Sequence, residues 1–225
     1  MQEKPPFDIR AAIAAVKSTL AVPAAAPGRP TLVMLCGLPG AGKTSLAHRL
    51  AARWPAVVIE SDRVRQILFT PPTYTAEESR QVHRVCHILI GWYLRHTGRD
   101  GKVFRRHVIY DATNLYEYHR QLVLRLAERC GAQLVVAEVT ARDDIVRERL
   151  APRQGRAAGE RTRDREGYSD ADWEVYRSMR QRAEPIQCEH ITVDTSQGGV
   201  EPAVERVLLA ISEDTSTYPE AGMRR

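Results

Sequence analysis

Short apolar runs alternate along the chain with segments in which apolar residues recur every three or four positions. The apolar runs predict five buried strands at residues 31–36, 56–59, 108–110, 134–139 and 191–193. The helical spacing predicts helices at residues 44–54, 62–68, 76–96, 114–130, 143–150, 173–183 and 201–211. Strand and helix alternate, and the strands are apolar throughout. This pattern is typical of an α/β protein whose parallel sheet is covered by helices on both faces.

The two ends of the chain differ from this alternating region. Residues 1–30 contain an amphipathic helix, with Ile9, Ile13 and Val16 at helical spacing, and then a Pro-rich linker, VPAAAPGRP. Residues 213–225 have no apolar periodicity and are predicted to be a flexible tail. We therefore predict one main domain over residues 31–212.

A glycine-rich segment, GLPGAGKT, lies between the first predicted strand and the helix that follows it. It fits G-x-x-x-x-G-K-[ST] in full, a pattern whose backbone N–H groups hold phosphate oxygens at the start of a helix. A chance Gly-rich turn is the alternative, but the strand before and the helix after favour phosphate binding. Lys43 would reach the terminal phosphates and Thr44 would bind Mg²⁺. The predicted phosphate-binding residues are Gly37, Leu38, Pro39, Gly40, Ala41, Gly42, Lys43, Thr44 and Ser45.

Other residues limit what a bound triphosphate is used for. A GTPase switch of the common kind needs an N-K-x-D motif, but the single asparagine, Asn114, is followed by leucine. Hydrolytic motors usually place a Glu after the aspartate that ends a strand, and here Ala112 follows Asp111. These features favour transfer of phosphate to an acceptor over hydrolysis.

A hydroxyl acceptor needs a carboxylate that orients it or takes its proton. Asp62, directly after the second predicted strand, is the best candidate, because strand ends of this fold class face the ligand crevice. Arg65, on the same helical face, would suit an acceptor that carries a phosphate. Asp111 ends the third strand and suits a second-shell or water-mediated Mg²⁺ ligand. Helix capping is the alternative for both aspartates.

An arginine-rich segment over about residues 150–168 is predicted to be a lid. Mobile arginines can neutralise the charge of a transferring phosphoryl group while the lid excludes water. Arg149, Arg153 and Arg156 are the candidates, and a solvated charged loop is the alternative.

Composition adds little to this picture. The net charge of +5 and the pI of about 9.2 mildly favour an anionic partner. We find no signal peptide and no apolar run of the roughly 18 residues that a membrane span needs. The four cysteines are far apart, which fits buried thiols in a reducing cytoplasm. We expect a cytoplasmic protein with no membrane partner.

The chain resembles P-loop kinases of the polynucleotide 5′-hydroxyl kinase type in five elements, which occur in the order GLPGAGKTSLA, ESDRVRQ, VIYDATNLYEYHR, the arginine-rich segment and SDADWEVYRSMRQRAEP. Zeta-toxin kinases and chloramphenicol phosphotransferase are related groups. The resemblance implies the P-loop NTPase fold, with a five-stranded parallel sheet in the order 2-3-1-4-5. It implies that Asp62 activates the acceptor hydroxyl, Arg65 binds the acceptor's phosphate and Arg153 contacts the ATP phosphates.

The D-x-T-N element of that resemblance includes Asp111 and Asn114, and Arg120 occupies the downstream basic position. Asn114 and Arg120 are thus implied to bind the acceptor. The segment HTGRDGKVFRR and the lid are longer than usual, and residues 1–30 have no counterpart.

We therefore expect an ATP- and Mg²⁺-dependent kinase that phosphorylates a hydroxyl group, with the 5′-OH end of a nucleic acid as the leading acceptor. A small molecule or nucleotide sugar is the main alternative acceptor. A nucleotide-binding regulatory module without an acceptor is a third hypothesis.

Overall fold

A computed structural model describes residues 7–25, 28–97, 103–151 and 171–213 of the chain. Its strands are β1 Thr31–Cys36, β2 Ala56–Glu60, β3 His96–Thr97, β4 Val103–Phe104, β5 His107–Asp111, β6 Gln133–Thr140 and β7 Ile191–Asp194. Its helices are α1 Ile9–Lys17, α2 Lys43–Arg53, α3 Ser61–Leu68, α4 Ala76–Leu94, α5 Glu117–Cys130, α6 Asp143–Leu150, α7 Trp173–Arg182 and α8 Glu201–Glu213.

Five of these strands form one parallel sheet in the order β2-β5-β1-β6-β7. Numbered among themselves along the chain, they follow the predicted order 2-3-1-4-5. The central strand β1 pairs with β5 on one side and β6 on the other, so its six residues are all buried. The predicted fold class is confirmed, and the C-terminal ends of β2, β5 and β1 lie side by side.

The sheet separates two apolar layers. Leu32 and Met34 of β1 pack toward the layer that contains α1, α3, α4 and α5. Val33 and Leu35 point to the other face, where α2 and α8 pack. Each fully buried aliphatic side chain stabilises the fold by about 1.5–3 kcal/mol. This alternation is what two-sided burial of a parallel strand requires.

The N-terminal helix is predicted correctly and packs on the main domain. Asp8 caps α1 by accepting hydrogen bonds from the N–H groups of Arg10 and Ala11, at 2.9 and 3.1 Å. Ala12 and Val16 on its inner face are buried in the same layer as α3 and α4. The predicted tail beyond residue 213 lies outside the described residues.

Two local predictions are wrong. The helix expected to reach His96 ends at Leu94, and His96 instead pairs with Phe104 in the two-stranded antiparallel sheet of β3 and β4. Helix α5, expected from residue 114, begins at Glu117 behind Tyr116. Asn114 has a left-handed backbone, with φ 46°, and its Nδ2 donates to the Leu35 carbonyl at 2.7 Å. That bond satisfies a buried backbone acceptor near the end of β1.

None of the helices in the described part of the chain combines the length and apolar character that a membrane crossing needs.

Candidate functional site

The glycine-rich loop turns sharply between β1 and α2. Gly37 has φ 147°, and a Cβ placed there would lie 2.3 Å from the carbonyl oxygen of Val139 on β6. Gly42 precedes α2 with a left-handed φ of 92°. A side chain at Gly37 would collide with backbone, and one at Gly42 would be strained. The loop therefore has the shape that brings backbone amides close to a bound group.

Helix α2 begins at Lys43, directly behind this loop, so Thr44 and Ser45 are in its first turn. The first N–H groups of a helix have no partner within it, and the helix dipole is positive there. An anion held by the loop would meet both. Lys43 is only 9% exposed, and its Nζ donates to the Leu38 carbonyl at 2.9 Å across the loop.

Thr44 and Asp111 meet at the end of β5. The Thr44 hydroxyl donates to Asp111 Oδ2 at 2.6 Å. Burial raises the pKa of Asp111 to about 6, although the nearby Lys43 and the Thr44 hydrogen bond act in the opposite direction. The capping alternative does not hold for Asp111, because it is the last residue of β5 and α5 begins six residues later. Paired hydroxyl and carboxylate oxygens are the hard donors that Mg²⁺ prefers, so these residues fit a magnesium ion.

A second polar pair lies beside the first and was missed from the sequence. Glu60 is the last residue of β2 and pairs in register with Asp111 on β5. His48, one turn after Thr44 on α2, lies 3.2 Å from Glu60 Oε1 through its Nε2. This hydrogen bond raises the pKa of His48 above its usual value. Helical spacing from Thr44 was the available signal, since residues i and i+4 share a helix face.

Asp62 follows Glu60 closely and lies in the first turn of α3. The structure gives the cap position of α3 to Glu60, so Asp62 is not the cap. Burial is the largest cause of the raised pKa of Asp111, and the negative charge of Asp62 raises that pKa further. The two carboxylates therefore lie close enough to repel each other. The predicted acceptor carboxylate and the predicted metal ligand are thus at neighbouring strand ends. The role of Asp62 in activating the acceptor stays a prediction.

Arg65, expected to bind an acceptor phosphate, already has an anionic partner. Its Nη1 donates to Glu78 Oε1 at 2.9 Å, and its Nη2 donates to Ser79 Oγ at 3.2 Å. Arg65 is 8% exposed and Glu78 4%. The sequence did not identify Glu78 as part of the site, because its spacing from Thr75 fits a capping box. Thr75 does cap α4, since the Glu78 N–H donates to its Oγ1 at 3.2 Å.

Three histidines line the layer next to Arg65. The rings of His83 and His119 lie 4.6 Å apart, and His83 Nδ1 lies 2.9 Å from the Tyr110 hydroxyl. Burial lowers the pKa of His83 to about 3 and that of His87 to about 4, so both are neutral. In the described part of the chain no group of three or more His, Cys, Asp or Glu residues is arranged to hold a metal ion.

Arg120 is almost wholly buried, with 1% of its surface exposed. Its guanidinium donates to the backbone carbonyls of Asn114, Glu184 and Pro185 at 2.8, 3.1 and 2.7 Å, and to Glu117 Oε2 at 2.9 Å. It thereby joins the start of α5 to the chain that follows α7. Asn114 is also buried, at 3% exposed. These contacts are structural, and acceptor binding by either residue stays a prediction.

Of the predicted lid, about residues 150–168, only residues 150 and 151 are described. Arg149 Nη1 donates to the Gly40 carbonyl at 3.0 Å and to Thr195 Oγ1 at 2.9 Å, so it joins the glycine-rich loop to the residue that follows β7. The helices on either side of the lid segment are in contact, since Asp143 of α6 accepts from the Tyr176 hydroxyl of α7 at 2.8 Å and from Arg180 of α7 at 2.5 Å. Arg153 and Arg156 lie outside the described residues.

A cavity of about 240 Å³ lies behind the glycine-rich loop. Leu38, Asn114 and Val146 contribute to its wall, as do Tyr176 and Arg180 of α7. Lys43, Thr44, Asp62 and Asp111 do not line it, so it is distinct from the cluster at the strand ends.

A glycine-rich loop between β1 and a helix N-terminus, with an aspartate at the end of the adjacent strand, defines a P-loop NTPase fold. The chain belongs to the AAA domain family, whose model matches residues 32–186. A search of curated proteins found no match.

Several solved structures share the fold. APS kinase CysC from Mycobacterium tuberculosis, in complex with AMPPNP and APS, is 19% identical with a TM-score of 0.55, over 83% of this chain and 100% of that chain. A gluconokinase from Sinorhizobium meliloti 1021 is 16% identical with a TM-score of 0.54, over 85% and 100%. Chaetomium thermophilum Kti12, in complex with ADP-AlF3, is 18% identical with a TM-score of 0.57, over 80% and 99%. At these identities the likeness establishes the fold.

Proposed function

We propose that the chain is an ATP-dependent kinase that transfers the γ-phosphoryl group to a hydroxyl group of a small molecule. The observation that carries the proposal is the position of Asp62. It follows the strand beside β5, and it lies close enough to Asp111 to affect the pKa of that carboxyl. This position supports the proposal, because it would put a carboxylate that can prepare an acceptor beside the expected triphosphate site.

The chain's own groups suit in-line transfer. Backbone amides of the loop and the start of α2 would hold the phosphates of ATP. Lys43 would exchange its contact with the Leu38 carbonyl for one with the terminal phosphates. The acceptor oxygen would form a bond to the γ-phosphorus while the bond to the ADP oxygen breaks, and Asp62 would take the hydroxyl proton. Mg²⁺ fits at Thr44 and Asp111, where its charge would offset that of the phosphates.

The acceptor is better explained as a small molecule than as the leading expectation, a nucleic acid 5′ end. That expectation depended on Arg65, on the basic segment 99–107 and on the positive net charge. Arg65 is paired with Glu78, and residues 98–102 lie outside the described residues. The names of the APS kinase and the gluconokinase describe small-molecule kinases, which supports the same choice.

A transfer assay tests the proposal directly. The full chain is incubated with γ-labelled ATP, Mg²⁺ and a panel of sugars, polyols, nucleosides and 5′-OH oligonucleotides of DNA and RNA. We expect label on at least one small molecule, and we expect a chelator to abolish the transfer. Label on oligonucleotides alone would restore the nucleic acid hypothesis. ATP binding without transfer to any member would favour the regulatory module.

A pair of variants tests the role of Asp62. Asp62→Asn should lower transfer by about 10²–10⁴-fold, the usual contribution of a general base, while ATP binding persists. The matched control is Asp144→Asn on α6, where the side chain is 66% exposed and pairs with Arg142. Equal activity of both variants would remove Asp62 from the mechanism.

A further inference from the structure

The guanidinium of Arg65 is enclosed by a cage of three side chains, Tyr74 just before α4 and Glu78 and Ser79 in its first turn. Its guanidinium binds Glu78 and Ser79, and the ring of Tyr74 lies over it, with the Arg65 Cζ atom 4.8 Å from the ring centroid. Because Arg65 lies one turn after Asp62 on α3, the cage is next to the predicted acceptor carboxylate.

Glu78 is fixed in place by more than its arginine partner. Its Oε2 accepts two hydrogen bonds from Thr73, one from the backbone N–H and one from the hydroxyl, each at 2.7 Å. Burial alone would raise the pKa of Glu78, but the bonds from Thr73 and Arg65 outweigh it and hold the pKa below its usual value. The carboxylate is therefore charged near neutral pH, and it offsets the charge of Arg65 at short range.

The histidines near this ion pair add no positive charge to it. His83 is neutral because burial, and to a lesser degree the charge of Arg65, lower its pKa. Its stacking partner His119 also has a lowered pKa because of burial. Arg65 keeps one donor, Nε, that is buried and has no hydrogen-bond partner among the described residues. A neutral hydroxyl oxygen can accept from such a donor, whereas a phosphate would also have to oppose the carboxylate of Glu78.

We propose that Glu78 is a specificity-determining residue, which cancels the charge of Arg65 and so selects uncharged hydroxyl acceptors over acceptors that carry a phosphate at this position. The inference rests on the proposed kinase function and specifies its acceptor class. This role differs from the one that the family resemblance implied, in which Arg65 binds a phosphate of the acceptor. A purely structural role for the ion pair would anchor α3 to α4 and leave the choice of acceptor unchanged.

Matched acceptor pairs distinguish these two roles in the wild-type protein. Suitable pairs are thymidine with thymidine 3′-monophosphate, and glucose with glucose 1-phosphate. Each pair offers the same reacting hydroxyl with and without a phosphate elsewhere. We expect kcat/KM for the neutral member to exceed that of the phosphorylated member by about 10-fold or more, the scale of one charge-assisted hydrogen bond. Preference for the phosphorylated members would overturn the inference.

Variants then assign the preference to Glu78. Glu78→Gln should reduce the neutral-to-phosphorylated ratio by about 10-fold or more, because Arg65 gains an uncompensated charge. It should also become sensitive to inhibition by inorganic phosphate in competition with the acceptor. Glu77→Gln is the control, since Glu77 is 60% exposed and pairs with Arg80 instead. Arg65→Gln combined with Glu78→Gln should return the ratio toward the wild-type value.

The outcomes separate this inference from the kinase proposal. Transfer to some acceptor with the same ratio in wild type and Glu78→Gln would refute the role of Glu78 and leave the kinase proposal intact. Transfer to no acceptor in either pair or in the wider panel would refute the kinase proposal, and this inference with it. A thermal melt shows whether Glu78→Gln folds, and if it does not, the wild-type ratio decides.

Discussion

Replacing Arg120 with methionine tests whether this residue is structural or binds the acceptor. Methionine has a similar length but cannot donate a hydrogen bond. The change would leave the carbonyls of Asn114, Glu184 and Pro185 without their present donor, and Glu117 without its cation. Only 1% of Arg120 is exposed, so water cannot readily replace its contacts.

The magnitude follows from these bonds. A hydrogen bond to a charged group contributes about 1.5–3 kcal/mol, and breaking a buried ion pair from one side costs about 3–5 kcal/mol. We expect Arg120→Met to lower the free energy of unfolding by about 3–5 kcal/mol. That loss is a large part of the total of about 5–15 kcal/mol for a typical domain.

Denaturation in guanidinium chloride, followed by circular dichroism, measures the effect. With a slope of about 3 kcal/mol per molar denaturant, the midpoint should fall by roughly 1–1.7 M. Arg125→Met is the control, because Arg125 is exposed on the same helix and its loss should change stability by about 0.5 kcal/mol or less. A loss below about 1 kcal/mol in Arg120→Met, together with abolished transfer and intact ATP binding, would refute the structural role and support a direct contact with the acceptor.

Three further predictions concern the nucleotide side. Gly37→Ala places a Cβ 2.3 Å from the Val139 carbonyl oxygen, so we expect a lower melting temperature and weaker stabilisation by ATP in a thermal melt. Lys43→Ala should lower kcat by about 10²–10³-fold with little change in melting temperature, and unchanged transfer would exclude its contact with the phosphates. The hydrogen bond to Glu60 raises the pKa of His48, so its stabilisation is fully present below the unfolded pKa and is lost as the pH rises through the folded value. Because His48 is 54% exposed, the free energy of unfolding of the wild type should exceed that of His48→Ala by only about 1 kcal/mol or less at about pH 5.5. The difference between their denaturation midpoints should become smaller at about pH 8.5. A difference that increases with pH would contradict the assignment.

The sequence predicts the sheet and the phosphate loop well because both depend on local patterns. The loop is a contiguous motif between a strand and a helix, and its glycines are required by backbone geometry at that point. The same holds for the end of α5, which lies at Cys130 as predicted and is followed by Gly131 in a left-handed cap. Patterns of this kind are visible without knowing the tertiary structure.

The acceptor side was less predictable because long-range side-chain pairing determines it. Arg65 is separated from Glu78 by 13 positions, and Arg120 from Glu184 by 64. A sequence shows that an arginine is present, but it does not show whether a carboxylate elsewhere has already bound it. The β3–β4 pairing was missed for a related reason, since strands of two residues have no readable periodicity.

One face of helix α2 contacts both the predicted magnesium ligand at the end of β5 and the end of β2, after which the predicted acceptor carboxylate lies. Thr44 binds Asp111 at the end of β5, and one turn later His48 binds Glu60 at the end of β2. Asp62 follows Glu60 by two residues, so the pair that fixes the end of β2 also limits where that carboxylate can lie. The position of Asp62 relative to the phosphate loop is therefore linked to α2, while Glu78 on α4 binds Arg65 and Thr73. Under the proposed role of Glu78, changes on α4 would therefore alter which acceptor is chosen without moving the carboxylate that would prepare it.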